Sequence, residues 1–356
     1  MLSLLRCATS RTGAARTGAA HAARPRVSHA APTQQRCYAS STDVEHRVRA
    51  TSVSHLDLVE IDRYLFRAPR EQLWVPPGGR GVFGGQVMGQ ALRAATLALD
   101  GDEAWRCHSN HSYFVNAVDP SRDVLYRVRE TSTRRSFATR SIDGIQNGNV
   151  IFKMIASFNV DRSLPSDAPP PQHQDAVPEG IPSPESLPCY RDGVRAALEK
   201  LPPDSPFQSW FRQKLESPVD VRYCEPPPDP LDAAPAPRPP SRLMWVKVSR
   251  PIDPEADKAI HQCLAAYISD GPLLSVALQP HGLQFPSTRL GAVASLDHSM
   301  WFHAPFRADE WMLYDMRSPR LVDSRGLIFG SVYQDGVLVA TVAQEGLLRL
   351  KRPKAD

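Results

Sequence analysis

Two pairs of short segments repeat along the chain. Asn110-His111-Ser112-Tyr113-Phe114 resembles Asp297-His298-Ser299-Met300-Trp301-Phe302, and Gln146-Asn147-Gly148 resembles Gln334-Asp335-Gly336. The His-to-Gly separations are 37 and 38 positions. A repeat spaced in this way restricts the chain to two copies of one supersecondary unit. The runs around it alternate and are rich in β-branched and aromatic residues. They are NHSYFVNAV, DVLYRVRET, RSFATRSIDGIQ and NVIFKMIASFNV in the first copy, and WMLYDM, GLIFGSVY and VLVATVA in the second. These read as strands, and Asn-Gly or Asp-Gly between apolar runs marks a hairpin.

Each copy also has an apolar helix ahead of its strands. In QVMGQALRAATLAL, Val87, Ala91, Leu92, Ala95 and Leu99 fall mostly on one face at helical spacing, among small residues suited to burial inside a sheet. In the second copy Asp253 suits an N-cap and Pro254 the first helical position, and the helix is expected to run through KAIHQCLAAYISD and stop at Asp270, before Gly271-Pro272. LDLVEIDRYLFRA, from Leu56 to Ala68, reads as one strand that curls at its end. The expected class is therefore α+β. Two tandem units, 50–160 and 241–352, each wrap an antiparallel sheet round a central helix and form an internal pseudo-dimer.

Between them, 161–240 holds 20 of the chain's 34 prolines. This composition reads as a linker partly packed on the surface, with a short helical candidate at Arg191–Leu201. Residues 1–42 contain no Asp or Glu but six arginines, from Arg6 to Arg36. That pattern is expected of a mitochondrial presequence, with Arg36-Cys37-Tyr38 at a matrix-processing site after residue 38. The C-terminal Lys354-Ala355-Asp356 is not a Ser-Lys-Leu-type peroxisomal address.

Composition narrows the partners. The net charge is only +4, and no basic patch is interleaved with aromatics, which argues against nucleic acid binding. No apolar run approaches the ~20 residues of a membrane span. The six cysteines show neither a CxxC pair nor zinc spacing, so no metal site is expected and scattered structural or surface thiols are.

The two copies differ in their polar residues. Eight positions after the hairpin glycine stands Ala156 in one and Gln344 in the other. Two positions before the Asn110/Asp297 pair stand His108 and Ser295, and the second helix alone ends in an acid, Asp270. One constellation per chain, Asp270, Ser295 and Gln344, is the simplest reading. Asp297-His298 offers a catalytic pair, but its match to Asn110-His111 points to architecture. A Ser-His-Asp nucleophile lacks a GxSxG elbow. Gly84-Gly85, in a Gly-rich helix entry that is neither GxxxxGK[ST] nor GxGxxG, supplies backbone N–H groups as candidate oxyanion donors.

Taken together, GRGVFGGQVMGQAL, HSYFV, IQNGNVIFKMIASF, VALQPHG, LDHSMWFHAPF, EWMLY, SRG and QDGVLVATVAQEG resemble the acyl-CoA thioesterase II family, from about His55 to Leu350. The resemblance implies two tandem hotdog domains and hydrolysis of fatty acyl-CoA to free acid and CoA. It implies no cofactor, an acyl-CoA substrate as partner, and leaves a homo-oligomer of double-hotdog units open. It also implies that Asp270, Ser295 and Gln344 hold the attacking water. The other readings are a hydratase using Asp297 and His298, and a non-catalytic acyl-CoA or protein-binding module.

Overall fold

The computed structural model describes residues 54–76, 78–79, 81–99, 105–160 and 171–351. The expected presequence lies outside the described residues. All strand pairs are antiparallel and form one 13-stranded sheet, in the order β1-β2-β4-β5-β6-β3-β10-β13-β12-β11-β8-β7, with β9 on β13. The first half supplies β1 (Val59–Asp62), β2 (Leu65–Ala68), β3 (Arg106–Phe114), β4 (Val124–Thr133), β5 (Phe137–Gln146) and β6 (Asn149–Asn159). The second supplies β7 (Val219–Tyr223), β8 (Ser241–Val248), β9 (Leu290–Ser295), β10 (Asp297–Phe302), β11 (Met312–Val322), β12 (Arg325–Gln334) and β13 (Val337–Leu350). The sequence β1-β2-β4-β5-β6-β3 is mirrored by β7-β8-β11-β12-β13-β10, so the repeat is a pseudo-twofold that joins the halves at β3–β10, where Asn110 faces Met300 and Tyr113 faces Asp297.

Two findings revise the boundaries. Leu56 ends a 3-10 turn, and Val59–Ala68 is a tight hairpin rather than one strand, because Tyr64 takes a φ of 62° between β1 and β2. And β7 lies inside the stretch expected to be linker, yet it pairs with β8 from Val219↔Val248 to Tyr223↔Met244 and is the second half's counterpart of β1. The Pro-rich residues after β7 form a loop between two strands. Helices α2 (Tyr190–Lys200) and α3 (Gln208–Leu215) form a small satellite core round Val194, Ala197 and Phe211. Arg191 pins that satellite to the sheet through Asp220 and, at 2.8 Å, Ser249 Oγ.

The two central helices, α1 (Gly84–Leu97) and α4 (Ala259–Leu278), are both buried and cross each other antiparallel. A Cβ on Gly85 would stand 2.4 Å from the Tyr267 carbonyl oxygen, and one on Gly89 would stand 2.9 Å from that of Cys263. Glycine at these two positions sets how closely the helices approach.

Helix α4 does not stop at Asp270. It passes through Pro272 to Leu278, starts at Ala259 rather than near Asp253, and ends against Gly282 at φ 58°. Asp253 Oδ1 accepts the Glu255 N–H in a local turn instead. Pro in a helix interior costs ~3 kcal/mol. Leu273, Leu274, Val276, Ala277 and Leu278 beyond it are all buried, at ~1.5–3 kcal/mol for each large side chain. Burial therefore outweighs the break.

Gly89→Ala tests the helix crossing. Alanine has the better helix propensity by ~1 kcal/mol, but its Cβ would meet Leu56 Cδ2 at 2.8 Å and the Cys263 carbonyl at 2.9 Å. Net destabilisation of about 1–3 kcal/mol is expected, read as a lower urea midpoint. A midpoint at or above that of the parent protein would contradict this account of the crossing.

Candidate active site

Asp270 lies inside α4, 7% exposed, two residues before Pro272. Three donors from three distant segments reach its carboxylate. The Gly85 N–H, at the start of α1, donates to Oδ2 at 2.8 Å. Ser295 Oγ, at the end of β9, donates to Oδ1 at 2.8 Å. Gln344 Nε2, on β13, donates to Oδ1 at 2.6 Å and lies 2.7 Å from Ser295 Oγ. A buried carboxylate persists only with such compensation. Gln344 is fully buried, and Ser295 is half-buried. Asp270, Ser295 and Gln344 therefore come together as expected, although Asp270 is mid-helix and not at a helix end.

Gly84 and Gly85 are also here, in a different relation. The Gly85 amide is committed to Asp270 and is not free for an oxyanion. A Cβ on Gly84 would stand 2.8 Å from Asp270 Oδ2 and 2.9 Å from the Phe114 ring. The glycines thus admit the carboxylate to the N-terminus of α1, where the helix dipole favours negative charge.

The true offset between the halves is 188 positions, not the 187 that matches His111 to His298. Gln146 Oε1 accepts the Asp119 N–H and its Nε2 returns to the Asp119 carbonyl, each at 2.9 Å. Gln334 makes the same clamp on Arg307, at 2.9 and 2.8 Å. On this register Ser295, paired with Gly346, corresponds to Cys107, paired with Phe158, and not to His108. His298 corresponds to Asn110, and both are completely buried. His111 instead points outward, with Nδ1 3.0 Å from Ser299 Oγ. His298 therefore has no histidine counterpart in the first half, and repetition gives it no architectural role.

Asp297 and His298 do not form a catalytic pair either. They are adjacent in β10, so their side chains leave opposite faces of the sheet. Asp297 Oδ1 accepts the Glu345 N–H at 2.9 Å, while His298 Nε2 lies 3.0 Å from Ser269 Oγ under α4. Burial pushes the His298 imidazole down to about 4, partly opposed by the Asp270 charge. Ser269 and this contact were not anticipated. Helical periodicity gives no reason to single out a serine inside an apolar helix.

Among the described residues no three His, Cys, Asp or Glu side chains gather to hold a metal ion, and no helix is long and apolar enough to cross a membrane. Cys107 and Cys263 are buried free thiols, and burial raises the Cys263 thiol to about 12.

The chain has clear relatives. Residues 238–347 match the family described as acyl-CoA thioesterase, and 72–159 match the acyl-CoA thioesterase N-terminal domain. The mouse (Mus musculus) protein acyl-coenzyme A thioesterase 8 is 41% identical over 312 residues, covering 85% of this chain and 90% of its own. Acyl-CoA thioesterase 2 of Haemophilus influenzae is 32% identical, covering 83% of this chain and 95% of its own. The crystal structure of an acyl-CoA thioesterase II, TesB2, from Mycobacterium marinum superposes with a TM-score of 0.62 at 33% identity, covering 83% of this chain and 97% of its own. Another similar structure carries the hotdog fold in its description, from Alicyclobacillus acidocaldarius, with a TM-score of 0.59 at 19% identity. The tandem sheet-and-helix units are thus hotdog domains.

The acid sensitivity of the fold should report on His298. The unfolded ring titrates near 6.5 and the folded one near 4. Below pH 6.5 the unfolded state binds the extra proton, so stability falls as pH drops from about 6.5 to about 4, by on the order of 3 kcal/mol. His298→Asn is expected to show a smaller loss of thermal midpoint between pH 7 and pH 5 than the parent. Equal losses would mean that the ring is not held neutral by burial.

Proposed function

The chain belongs to the acyl-CoA thioesterase II family, and from that premise we propose that it hydrolyses fatty acyl-CoA to free fatty acid and CoA by direct attack of water. The observation that carries the mechanism is the convergence of Ser295 Oγ, Gln344 Nε2 and the Gly85 amide on one buried carboxylate, Asp270.

In this reading a water between Asp270, Ser295 and Gln344 gives its proton to Asp270 as its oxygen attacks the thioester carbonyl. General-base assistance contributes roughly 10²–10⁴-fold. The tetrahedral oxyanion requires a donor worth about 2.7–4 kcal/mol. With the Gly85 N–H held by Asp270, the Gly84 amide is the remaining candidate at that helix start. Collapse breaks the C–S bond, and the CoA thiolate takes up the proton from Asp270. Ser295 is a donor here and not a nucleophile, because its hydroxyl donates to a carboxylate and the buried His298 imidazole pairs with Ser269 instead.

Asp270→Asn, Ser295→Ala and Gln344→Ala are each expected to lower kcat strongly, by 10²-fold or more for Asp270→Asn, in a thiol-trapping assay of released CoA from saturated acyl-CoA. Full turnover in Asp270→Asn would sink the mechanism. A protein that binds acyl-CoA without releasing CoA would instead be a binding module, and loss of enoyl absorbance without CoA release would favour a hydratase.

The acid-free, Arg-rich residues 1–42 support import into the mitochondrial matrix. A yeast relative carries the name peroxisomal acyl-coenzyme A thioester hydrolase 1, at 26% identity. Residues 1–42 fused to a fluorescent protein are expected to direct it to mitochondria and to be cleaved near Tyr38. Cytosolic or peroxisomal fluorescence would refute the assignment.

A further inference from the structure

Two buried polar atoms beside the Asp270 cluster have no partner, Nδ1 of His298 and Oε1 of Gln344. They belong to facing residues. The β10–β13 ladder pairs Ser299 with Ala343, and Glu345 N–H reaches Asp297 Oδ1 one step beyond. The residues between these pairs, His298 and Gln344, therefore stand opposite each other, both completely buried on the inner face. Facing residues place their Cβ atoms ~4.5–5.5 Å apart. Neither atom has a direct partner, so a ring and a carboxamide at that spacing can be linked across one water.

The donors and acceptors are complementary in one tautomer. The one Ser269 hydroxyl proton has two acceptors at 3.0 Å, the Ala266 carbonyl and His298 Nε2, and this tautomer is the one in which it goes to Nε2. The ring proton is then on Nδ1, facing the carboxamide. Gln344 Nε2 is already committed to Asp270 and Ser295, so its Oε1 is the acceptor left on that side. We propose that His298 is a positioning residue for hydrolysis, whose Nδ1–H holds Gln344 Oε1 across one bridging water and so keeps Nε2 turned toward Asp270 and the attacking water. Without it the amide can rotate and set Oε1 against the Asp270 carboxylate, oxygen against oxygen. The other half supplies the contrast. There the corresponding residues are Asn110 and Ala156, paired across β3 and β6, so no glutamine amide faces the His298 counterpart.

The inference rests on the Asp270–Ser295–Gln344 reading, and the experiment separates the two. Asn at 298 keeps a donor near the Nδ1 position, and Asn110 shows that the scaffold accepts Asn at this ladder position. Gln keeps a polar group near Nε2, and Leu keeps volume alone. His298→Leu and His298→Gln are expected to lose at least 10-fold in kcat with KM within about twofold, and His298→Asn to recover most of that loss. On a Gln344→Ala background, His298→Leu should add less than threefold. In the labelled parent protein, ¹⁵N shifts should report the Nδ1–H tautomer at pH 7. This readout does not depend on any variant folding. Gln equal to or better than Asn, additive losses in the double variant, or an Nε2–H tautomer would each overturn the role of His298. With Asp270→Asn inactive, those results leave the hydrolytic reading standing. An active Asp270→Asn removes both.

Discussion

The rest of the structure depends on one carboxylate buried where two helices cross. Asp270 is carried on α4 but is hydrogen-bonded from outside it, by the Gly85 amide of α1, a strand-end hydroxyl and the Gln344 side-chain amide. A carboxylate left there without donors would cost several kcal/mol. The close approach that supplies the Gly85 N–H is itself possible only without side chains, since a Cβ on Gly84 would run into Asp270 Oδ2 and one on Gly85 into the Tyr267 carbonyl. The first half of the chain therefore provides the seat for a carboxylate that belongs to the second. Neither domain holds the site alone.

The pseudo-twofold is closely kept in the sheet and abandoned in its polar residues. Gln146 and Gln334 clamp equivalent loops with the same three-point geometry. Around the site, Cys107, Asn110 and Ala156 stand where Ser295, His298 and Gln344 stand in the other half. Backbone pairing tolerates almost any inward side chain of suitable size, so the scaffold can stay symmetric while one pocket becomes polar and the other fills with apolar or weakly polar groups.

Much of this was legible from residues alone. The paired strands, the two central helices, and the hairpins at Asn147-Gly148 and Asp335-Gly336 follow from period and turn chemistry. In both turns the two central residues take positive φ, as such turns require. Local rules failed where tertiary burial outbid them. Pro272 reads as a helix stop, but five residues beyond it are buried. Val219–Tyr223 sits among prolines, but it finds a free edge on β8. The match of His111 to His298 was drawn from letters. A shift of one residue turns every side chain to the opposite face, and only the ladder register reveals it.

The sequence by itself determined the number of units, their strand-and-helix content, and three polar residues placed where the copies disagree. These depend on local periodicity and on comparison within the chain. The tertiary structure decided which groups the Asp270 carboxylate meets. It turned Gly85 from a free donor into a partner of Asp270, separated Asp297 from His298 across the sheet, and set His298 opposite Gln344. Those relations join residues up to 185 positions apart, and distances across such separations are set by packing and register, which no local pattern encodes.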